Sequence, residues 1–233
     1  MHQLIDQIEL DLKQASLALE LRIEEDSPEM EEFSGLFAKA VALAKPKILF
    51  FDTVITGRGA GWLSLGAGRF HSRVLVEKTL GIERVYPFMI TCGHELDEID
   101  FDRNDILQPF WHDFLKERIF DQAAEHFRRL ISPYLDGKNQ AVLYPADEKI
   151  WPHRDLRLLY NIFPDEAIKR IGVKLNESNL MSPNKSSCGI VFGVDYDFCS
   201  CDLCDRHNCP RSLRSCGQGA GRPYGTQTAL PRP

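Results

Sequence analysis

The stretch that decides the fold runs from Gly172 to Gly193 and reads Gly-Val-Lys-Leu-Asn-Glu-Ser-Asn-Leu-Met-Ser-Pro-Asn-Lys-Ser-Ser-Cys-Gly-Ile-Val-Phe-Gly. Its two ends are rich in apolar residues, and its centre is polar and contains a proline. This pattern is typical of two short strands joined by a loop. We therefore predict strands over residues 173–177 and 187–192, joined by a polar loop at 182–185. Because the connection is short, we expect the two strands to be antiparallel neighbours.

Apolar periodicity predicts the other elements. Helices are expected over residues 2–20, 28–44, 72–80, 107–134, 154–163 and 165–171, and strands over residues 47–55, 84–91 and 140–143. Residues 144–152 contain two prolines and are expected to form an irregular surface loop. Because the strands and helices alternate irregularly, the fold class that we predict is α/β (α+β). It has a mixed, largely antiparallel twisted sheet with packed helices.

Glycines cluster between residues 57 and 61, directly after a predicted strand. A glycine-rich turn of this kind lets backbone N–H groups approach a phosphate. The spacing matches neither the dinucleotide-binding fingerprint nor the P-loop, and residues 62–65 resemble a returning strand. A hairpin is therefore favoured over a nucleotide site.

Composition excludes several classes of function. The chain has 233 residues and a net charge of −6, whereas sequence-independent nucleic-acid binding needs a cationic surface. No apolar run approaches the roughly 18 residues of a membrane span. Asp6, Glu9 and Asp11 interrupt any apolar region of a signal peptide. We expect a cytoplasmic protein that binds neither nucleic acid nor membrane.

Five of the seven cysteines fall close together near the C-terminus, at Cys199, Cys201, Cys204, Cys209 and Cys216. Thiolates at such short spacing converge on one metal centre, and four of them complete either a zinc site or an iron–sulfur centre. The irregular run followed by Pro210 favours a 4Fe–4S cluster. Structural zinc is the alternative, with His207 as a substitute ligand. We predict a Cys-rich metal-binding module over residues 196–216.

The 172–193 stretch resembles the C-terminal activation (reactivation) domain of cobalamin-dependent methionine synthase. That family carries a similar Gly-x-Lys-Leu-x-Glu-Ser-x-x-Met-x-Pro stretch followed by Ser-x-Ser-Gly. The matching residues here are Gly172, Lys174, Leu175, Glu177, Ser178, Met181, Pro183, Ser186 and Gly189, and Cys188 replaces the second serine. Weaker similarity to stand-alone relatives extends to residues 70–73, 90–96 and 123–127.

The resemblance implies a domain organisation. Residues 1–46 would form N-terminal helices, residues 47–195 the activation-domain-like core, and residues 196–216 the metal module. Residues 217–233 have few apolar side chains and are expected to be disordered.

The resemblance also implies a role. Members of the family bind S-adenosylmethionine and dock on a corrinoid protein, so that cobalt oxidised to Co(II) is reduced and remethylated. The expected partners are a corrinoid protein or corrinoid-dependent methyltransferase, which holds the corrinoid, and a low-potential electron donor. An iron–sulfur centre in the Cys-rich module would suit electron delivery. The alternative is a non-catalytic adaptor that binds a corrinoid protein or a metal and has lost the S-adenosylmethionine site.

Carried over residue by residue, the ligand site of the family matches in part. The acidic contact to S-adenosylmethionine falls on Glu125, and the loop Arg-Pro-Ala-Pro-Gly-Tyr-Pro falls on residues 144–150. Pro145 and Ala146 are retained there, but Tyr144 replaces the arginine that would grip the ligand carboxylate. The added acids at 147 and 148 would repel that carboxylate. The sequence therefore predicts weak or no binding of S-adenosylmethionine.

Partner contact is expected at the two proline-containing loops, 144–151 and 182–185. Tyr144 and Trp151 are the predicted aromatic anchors, since such residues dominate interface energies. Lys149 and Lys185 are predicted to meet acidic groups on the partner or on the corrinoid. The alternative for Trp151 is that it packs against the helix that starts near His153.

Overall fold

The structure is a computed structural model that describes residues 2–102 and 105–203. Its ten strands are β1 (His2–Ile5), β2 (Lys47–Phe51), β3 (Thr53–Gly59), β4 (Trp62–Leu65), β5 (Gly68–Phe70), β6 (Arg84–Thr91), β7 (Asn139–Leu143), β8 (Lys174–Leu175), β9 (Met181–Ser182) and β10 (Ser186–Val194). The α-helices are α1 (Gln14–Glu20), α2 (Pro28–Leu43), α3 (Arg73–Lys78), α4 (Leu107–Ile131), α5 (Asp155–Tyr160) and α6 (Asp165–Ile171). Short 3₁₀ helices lie at His94–Glu98, Ser132–Leu135 and Ser200–Leu203.

Strand β6 lies at the centre of the sheet. Its second half pairs with β2 and with β10 over the same residues, so these two strands flank it on opposite sides. Strand β1 continues the sheet beyond β2, and β7 continues it beyond β10, all antiparallel. Strands β3, β4 and β5 form a meander attached to the first residues of β6. The predicted fold class, a mixed and largely antiparallel sheet with packed helices, is confirmed.

The motif stretch is the source of β10, which is the longest strand and is buried along most of its length. The expectation that residues 173–177 and 187–192 pair with each other is wrong. Strand β8 pairs with β9 instead, and β10 inserts between β6 and β7. The reason is a tight turn at Asn179, whose φ is +59°, and the Leu180 N–H that donates to the Asn176 side chain at 2.9 Å. Because of this turn, residues 174–182 form a small hairpin of their own.

The helices cover both faces of the sheet. On one face, α1, α2 and α4 pack with Phe50, Phe88 and Val191 of the sheet. On the other face, α3, α5 and α6 pack with Met89 and Ile190, which are the neighbours of those residues along the strands. This alternation is the period of two that puts successive strand residues on opposite faces. We call the first the α4 face and the second the α5 face.

The N-terminal prediction needs one correction. Residues 2–20 were expected to form a helix, but β1 occupies residues 2–5 and the helix α1 begins only at Gln14. Strand β1 adds to the edge of β2, where ladder hydrogen bonds replace those of a helix. Helix α2 begins as predicted, with Ser27 accepting the Met30 N–H at 3.2 Å and Pro28 in the first turn.

The glycine-rich stretch forms a β-hairpin between β3 and β4, as expected. Trp62 folds its indole ring across the neighbouring strand, and a Cβ at Gly59 would lie 2.2 Å from the indole nitrogen. Gly61, with φ +85°, makes the turn. These glycines therefore serve the hairpin.

Candidate functional site

Two segments that carry the family resemblance meet at one end of the sheet. Ser186 begins β10 opposite Thr91 of β6, and the Ser186 hydroxyl donates to the Thr91 hydroxyl at 2.9 Å. One residue on, the Cys92 N–H donates to the Lys185 carbonyl at 3.0 Å. The turn after β6 and the loop at 182–185 are thus held side by side.

A second contact joins the same turn to the start of the motif. Gly172 ends α6 with φ +78°, and a Cβ there would lie 2.9 Å from the His94 ring nitrogen Nδ1. Glycine is required both for the left-handed conformation and for the close approach. Residues 90–96 and 172–193, which are about 80 positions apart in the sequence, therefore form one structural unit.

Helix α4 is tied to this unit through charged side chains. The Lys185 ammonium lies 2.8 Å from the Asp113 carboxylate and 4.0 Å from that of Glu117. The Asn184 amide donates to the other Asp113 oxygen at 2.9 Å. Burial alone would raise the pKa of Asp113, but the hydrogen bonds from Lys185 and Asn184 outweigh it and lower the pKa. Asp113 is thus the anchor that fixes the 182–185 loop against α4.

Beneath this anchor, α4 buries two basic side chains on its inner surface. Lys116 is 6% exposed and forms an ion pair with Asp97. His112, one turn earlier, is 8% exposed and lies against the Phe101 ring at 5.1 Å between centroids. Burial is the main cause that lowers the pKa of His112, and the Lys116 charge adds to it. His112 is therefore held neutral near pH 7.

The thiol of Cys92 lies in the same region and is fully buried. Its burial raises its pKa to about 12, despite the opposing effect of Lys116. A thiol with so high a pKa is a poor nucleophile and a poor metal ligand at neutral pH. Cys92 is therefore part of the packing of this site.

In the described part of the chain, three buried polar atoms have no hydrogen-bond partner: Glu95 Oε2, His112 Nε2 and Arg118 Nε. All three lie in α4 or in the 3₁₀ helix packed near it. Two of these atoms lie near an opposite charge, since Glu95 Oε2 is 3.6 Å from His94 Nδ1 and Arg118 Nε is 3.9 Å from Glu20. His112 Nε2 is thus the atom of the three for which no nearby partner is found in the described residues, which is uncommon for a buried polar group.

Glu125, the predicted contact to S-adenosylmethionine, lies half-exposed on α4 and forms an ion pair with Arg128. It lines a shallow hollow of about 430 Å³ between α4 and the segment that leads into α1; the other lining residues are Asp11, Leu12, Lys13, Ser16, Leu17, Arg118, Asp121 and Gln122. Phe127, two residues later, points roughly 160° away around the helix, into the core.

The predicted loop residues lie on that other side of α4. The Tyr144 ring packs edge-on against Phe88 at 5.8 Å, and Phe88 in turn contacts Phe127 at 4.7 Å. Pro145 is buried and Ala146 is exposed. The Glu125 side chain and the Tyr144–Ala146 loop thus lie on different sides of α4. Their joint role in ligand binding stays a prediction.

Trp151 is not a surface anchor, contrary to expectation. It is 0% exposed, packs edge-on against Phe70 at 5.5 Å, and donates its indole N–H to Asp155 at 3.2 Å. The sequence pattern misled because the two prolines suggested an exposed loop, whereas a bridge between Asp147 and Trp151 turns the ring inward. Lys185, which was predicted to meet acidic groups on the partner, forms an ion pair with Asp113 of the same chain.

The cysteine prediction falls at the edge of the described residues. Cys199 and the backbone of Cys201 are inside them, whereas Cys204, Cys209 and Cys216 lie outside. Within residues 2–102 and 105–203 there is no group of three or more Cys, His, Asp or Glu side chains placed to hold a metal ion. The metal module stays a prediction, as does the disordered tail, whose residues 217–233 also lie outside.

Asp113, His112 and Lys116 were not predicted from the sequence. A signal was present nevertheless, because His112 and Lys116 are spaced by four and fall on the apolar stripe of α4. Polar residues on a core-facing stripe mark places where a helix buries charge.

Comparison with solved structures gives similarity to the crystal structure of the MetH reactivation domain bound to AdoHcy. The TM-score is 0.57 at 16% sequence identity, over 83% of this chain and 78% of that chain. At this level of identity the similarity establishes the fold, which is that of the reactivation domain. No protein-family model and no curated protein matches the chain.

None of the helices in the described ranges is both long enough and apolar enough to cross a membrane.

Proposed function

We propose that this protein docks on a corrinoid protein, such as a cobalamin-dependent methyltransferase subunit, and supports the reductive reactivation of its cobalt. One observation carries the proposal. The motif stretch from Gly172 to Gly193 supplies strand β10, which lies between β6 and β7, and the anchored 182–185 loop of a fold shared with the MetH reactivation domain.

In this proposal the redox and methyl-transfer chemistry takes place at the corrinoid held by the partner, and the electron comes from a separate donor. Co(II) takes one electron from a low-potential donor to give Co(I), and a methyl group from a methyl donor then traps the Co(I) as methyl-Co(III). This chain's own part is to hold the partner in position. The tie between Asp113 and Lys185 serves that purpose, because it fixes the 182–185 loop on a rigid helix.

S-adenosylmethionine is the expected methyl donor of the family, and two features of the carried-over residues argue against tight binding. The Glu125 carboxylate is paired with Arg128. In the loop, Tyr144 stands where the family has an arginine, and Asp147 and Glu148 add carboxylates three and four positions later. The Glu148 carboxylate pairs with Arg154 at 3.3 Å. We expect calorimetry to detect weak or no binding. Tight binding that disappears in Glu125→Ala would contradict this.

The Cys-rich segment from Cys199 to Cys216 is proposed as the electron-delivering module, with a 4Fe–4S cluster as the favoured occupant. Protein purified without oxygen should be brown and should contain iron and sulfide. Colourless protein with one equivalent of zinc would instead assign the segment a structural role.

A second candidate is an adaptor that binds a corrinoid protein without supporting the redox step. The ion pair between Glu125 and Arg128 favours it, because the acid retained from the family's ligand site is used within the chain.

The deciding experiment mixes the purified full chain with a cobalamin-loaded methyltransferase subunit, a low-potential reductant and a methyl donor. The proposal expects Co(I) or methyl-Co(III) to appear in the absorption spectrum faster than without the protein. Binding with no change in the cobalt spectrum supports the adaptor. Absence of binding to every corrinoid protein tested refutes both functions.

A further inference from the structure

The N-cap residue and the first turn of α4 expose a group of large apolar side chains. Ile106 is 82% exposed, Phe110 is 60% exposed and Leu107 is 48% exposed. We call these three residues the α4 patch. Trp111, the next residue in the chain, is 3% exposed, so the helix is well packed here and the patch is simply its outer surface. Single exposed apolar residues are ordinary, but three adjoining ones on one helix surface are typical of a binding surface.

The patch adjoins the site described above. Asp113 is three residues after Phe110, one turn along the helix, and holds the 182–185 loop. On the following turn, the Arg118 guanidinium lies over the Phe114 ring at 4.8 Å. The patch is therefore continuous with the anchored motif loop on one side and with a half-buried aromatic ring on the other.

The charge around the patch is strongly negative. Residues 94–121 contain nine carboxylates and three Lys or Arg, a net charge of −6. Residues 1–46, which supply the helices α1 and α2 beside α4, contain ten carboxylates and four Lys or Arg, again −6. The remaining residues up to 203 contain fourteen carboxylates and sixteen Lys or Arg, a net charge of +2. The acidity of the protein is thus concentrated in the two segments that supply α1, α2 and most of α4.

Exposed apolar side chains within acidic surroundings limit the kind of partner that can bind the α4 patch. A second copy of the chain would bring two acidic faces together, and anionic nucleic acid or membrane lipid would be repelled in the same way. A protein that presents an apolar side chain surrounded by Lys and Arg is complementary in both respects. We propose that the α4 patch, with its acidic surroundings, is the surface on which the corrinoid-carrying protein docks. The inference rests on the proposed function and adds to it the location of the interface.

The test measures the affinity of the full chain for the cobalamin-loaded methyltransferase subunit. Ile106→Ser and Phe110→Ser should each weaken binding about 10- to 100-fold, as expected for loss of one buried apolar side chain. Leu80→Ser is the matched control, because Leu80 is 66% exposed but follows α3 on the α5 face, and it should leave the affinity unchanged. Raising the salt concentration should weaken binding of the wild type.

The outcomes separate this inference from the proposed function. If the wild type binds and both patch variants bind equally well, the patch is not the interface, while the proposed function stands. If the wild type binds no corrinoid protein, the function fails and the inference fails with it. If Phe110→Ser changes the sedimentation of the protein alone, a second copy covers the patch. If removing residues 204–233 strengthens partner binding of the wild type but not of Phe110→Ser, that segment covers the patch. Either of the last two results overturns the proposal.

Discussion

The two faces of the sheet bury polar groups in different ways. On the α5 face, Asp155 is buried and accepts the His71 backbone N–H at 2.9 Å and the Trp151 indole N–H at 3.2 Å. On the α4 face, His112 is buried with one ring nitrogen unpaired, and Lys116 brings a positive charge close to it. The α5 face also includes Ser72, whose hydroxyl accepts the Leu75 N–H and caps α3.

This difference between the two faces indicates which one supports the structure and which one is suited to binding. Among the described residues of the α5 face, no buried polar side-chain atom lacks a hydrogen-bond partner. Such a face is stable and specifies one arrangement of the chain. A face that retains unpaired buried groups, an acidic surface and exposed apolar side chains gives up stability, and such sacrifices are typical of functional regions. We therefore infer that the α5 face is the structural support and that the α4 face is the side available to a partner.

The strongest test of the scaffold side is Trp151→Ala. Loss of a fully buried indole, its contact with Phe70 and its hydrogen bond to Asp155 should lower the free energy of unfolding by about 3–5 kcal/mol. Denaturant titration followed by circular dichroism measures this. Phe110→Ala, an exposed aromatic residue on the α4 face, should cost no more than about 0.5 kcal/mol. Equal losses for the two variants would refute the assignment of Trp151 to the core.

A smaller effect is expected at the strand that both faces share. A Cβ at Gly189 would lie 2.7 Å from the Leu143 carbonyl and 2.9 Å from the Tyr144 ring, so Gly189→Ala must displace β7. We expect a loss of about 1–3 kcal/mol. Gly35→Ala is the control, because a Cβ at that position in α2 would meet nothing within 4 Å beyond its chain neighbours and the helix's own backbone. It should stabilise the protein by about 0.5–1 kcal/mol. The same sign for both changes would contradict the close packing of β10 against β7.

The buried His112 predicts a pH dependence that belongs to the α4 face. Burial lowers the pKa of His112 in the folded protein, so the unfolded chain binds the extra proton more readily. Stability from this residue is therefore complete above the unfolded pKa of about 6.5 and is lost as the pH falls below it, by at most about 1.4 kcal/mol per pH unit. His112→Gln should remove this contribution, measured as the difference from wild type in unfolding free energy between pH 7.5 and 5.5.

The control for that experiment is His71→Gln on the exposed side chain of His71. It should leave the pH profile of the wild type unchanged. If His112→Gln and wild type lose stability in parallel on acidification, the neutral buried histidine is not the source of the effect.

The smallest expected change is Asp113→Asn. The Asp113 side chain is about half exposed, so its ion pair with Lys185 is screened by solvent and contributes less than about 1 kcal/mol. Its effect should appear locally, as faster hydrogen exchange in the 182–185 loop with little change in global stability. Unchanged exchange in that loop would show that Asp113 does not anchor it.

Much of the fold follows from local pattern. The boundaries of β6 and α6 match the sequence prediction, because a bounded apolar run and a helix ended by Gly172 are strong local signals. The pairing of β10 was not predictable in the same way. Its partners β6 and β7 are distant in the sequence, whereas residues 173–177 are close, and proximity favoured the wrong neighbour.

The site shows the same limit. The sequence identified the 182–185 loop but not Asp113, its anchor, because a lysine–aspartate contact across 72 residues has no local signature. The prediction that Trp151 is a surface anchor was wrong for a different reason. Its flanking prolines are a genuine loop signal, but they say nothing about which way the ring points.

The central claim is that the α4 face is the docking face and the α5 face is the scaffold. Hydrogen exchange measured by mass spectrometry, with and without a cobalamin-loaded methyltransferase subunit, tests it most directly. The account predicts slower exchange on binding in peptides that cover residues 94–121 and 182–185, and no change in those that cover α3, α5 and α6. Protection confined to α3, α5 and α6, with residues 94–121 unchanged, would contradict it.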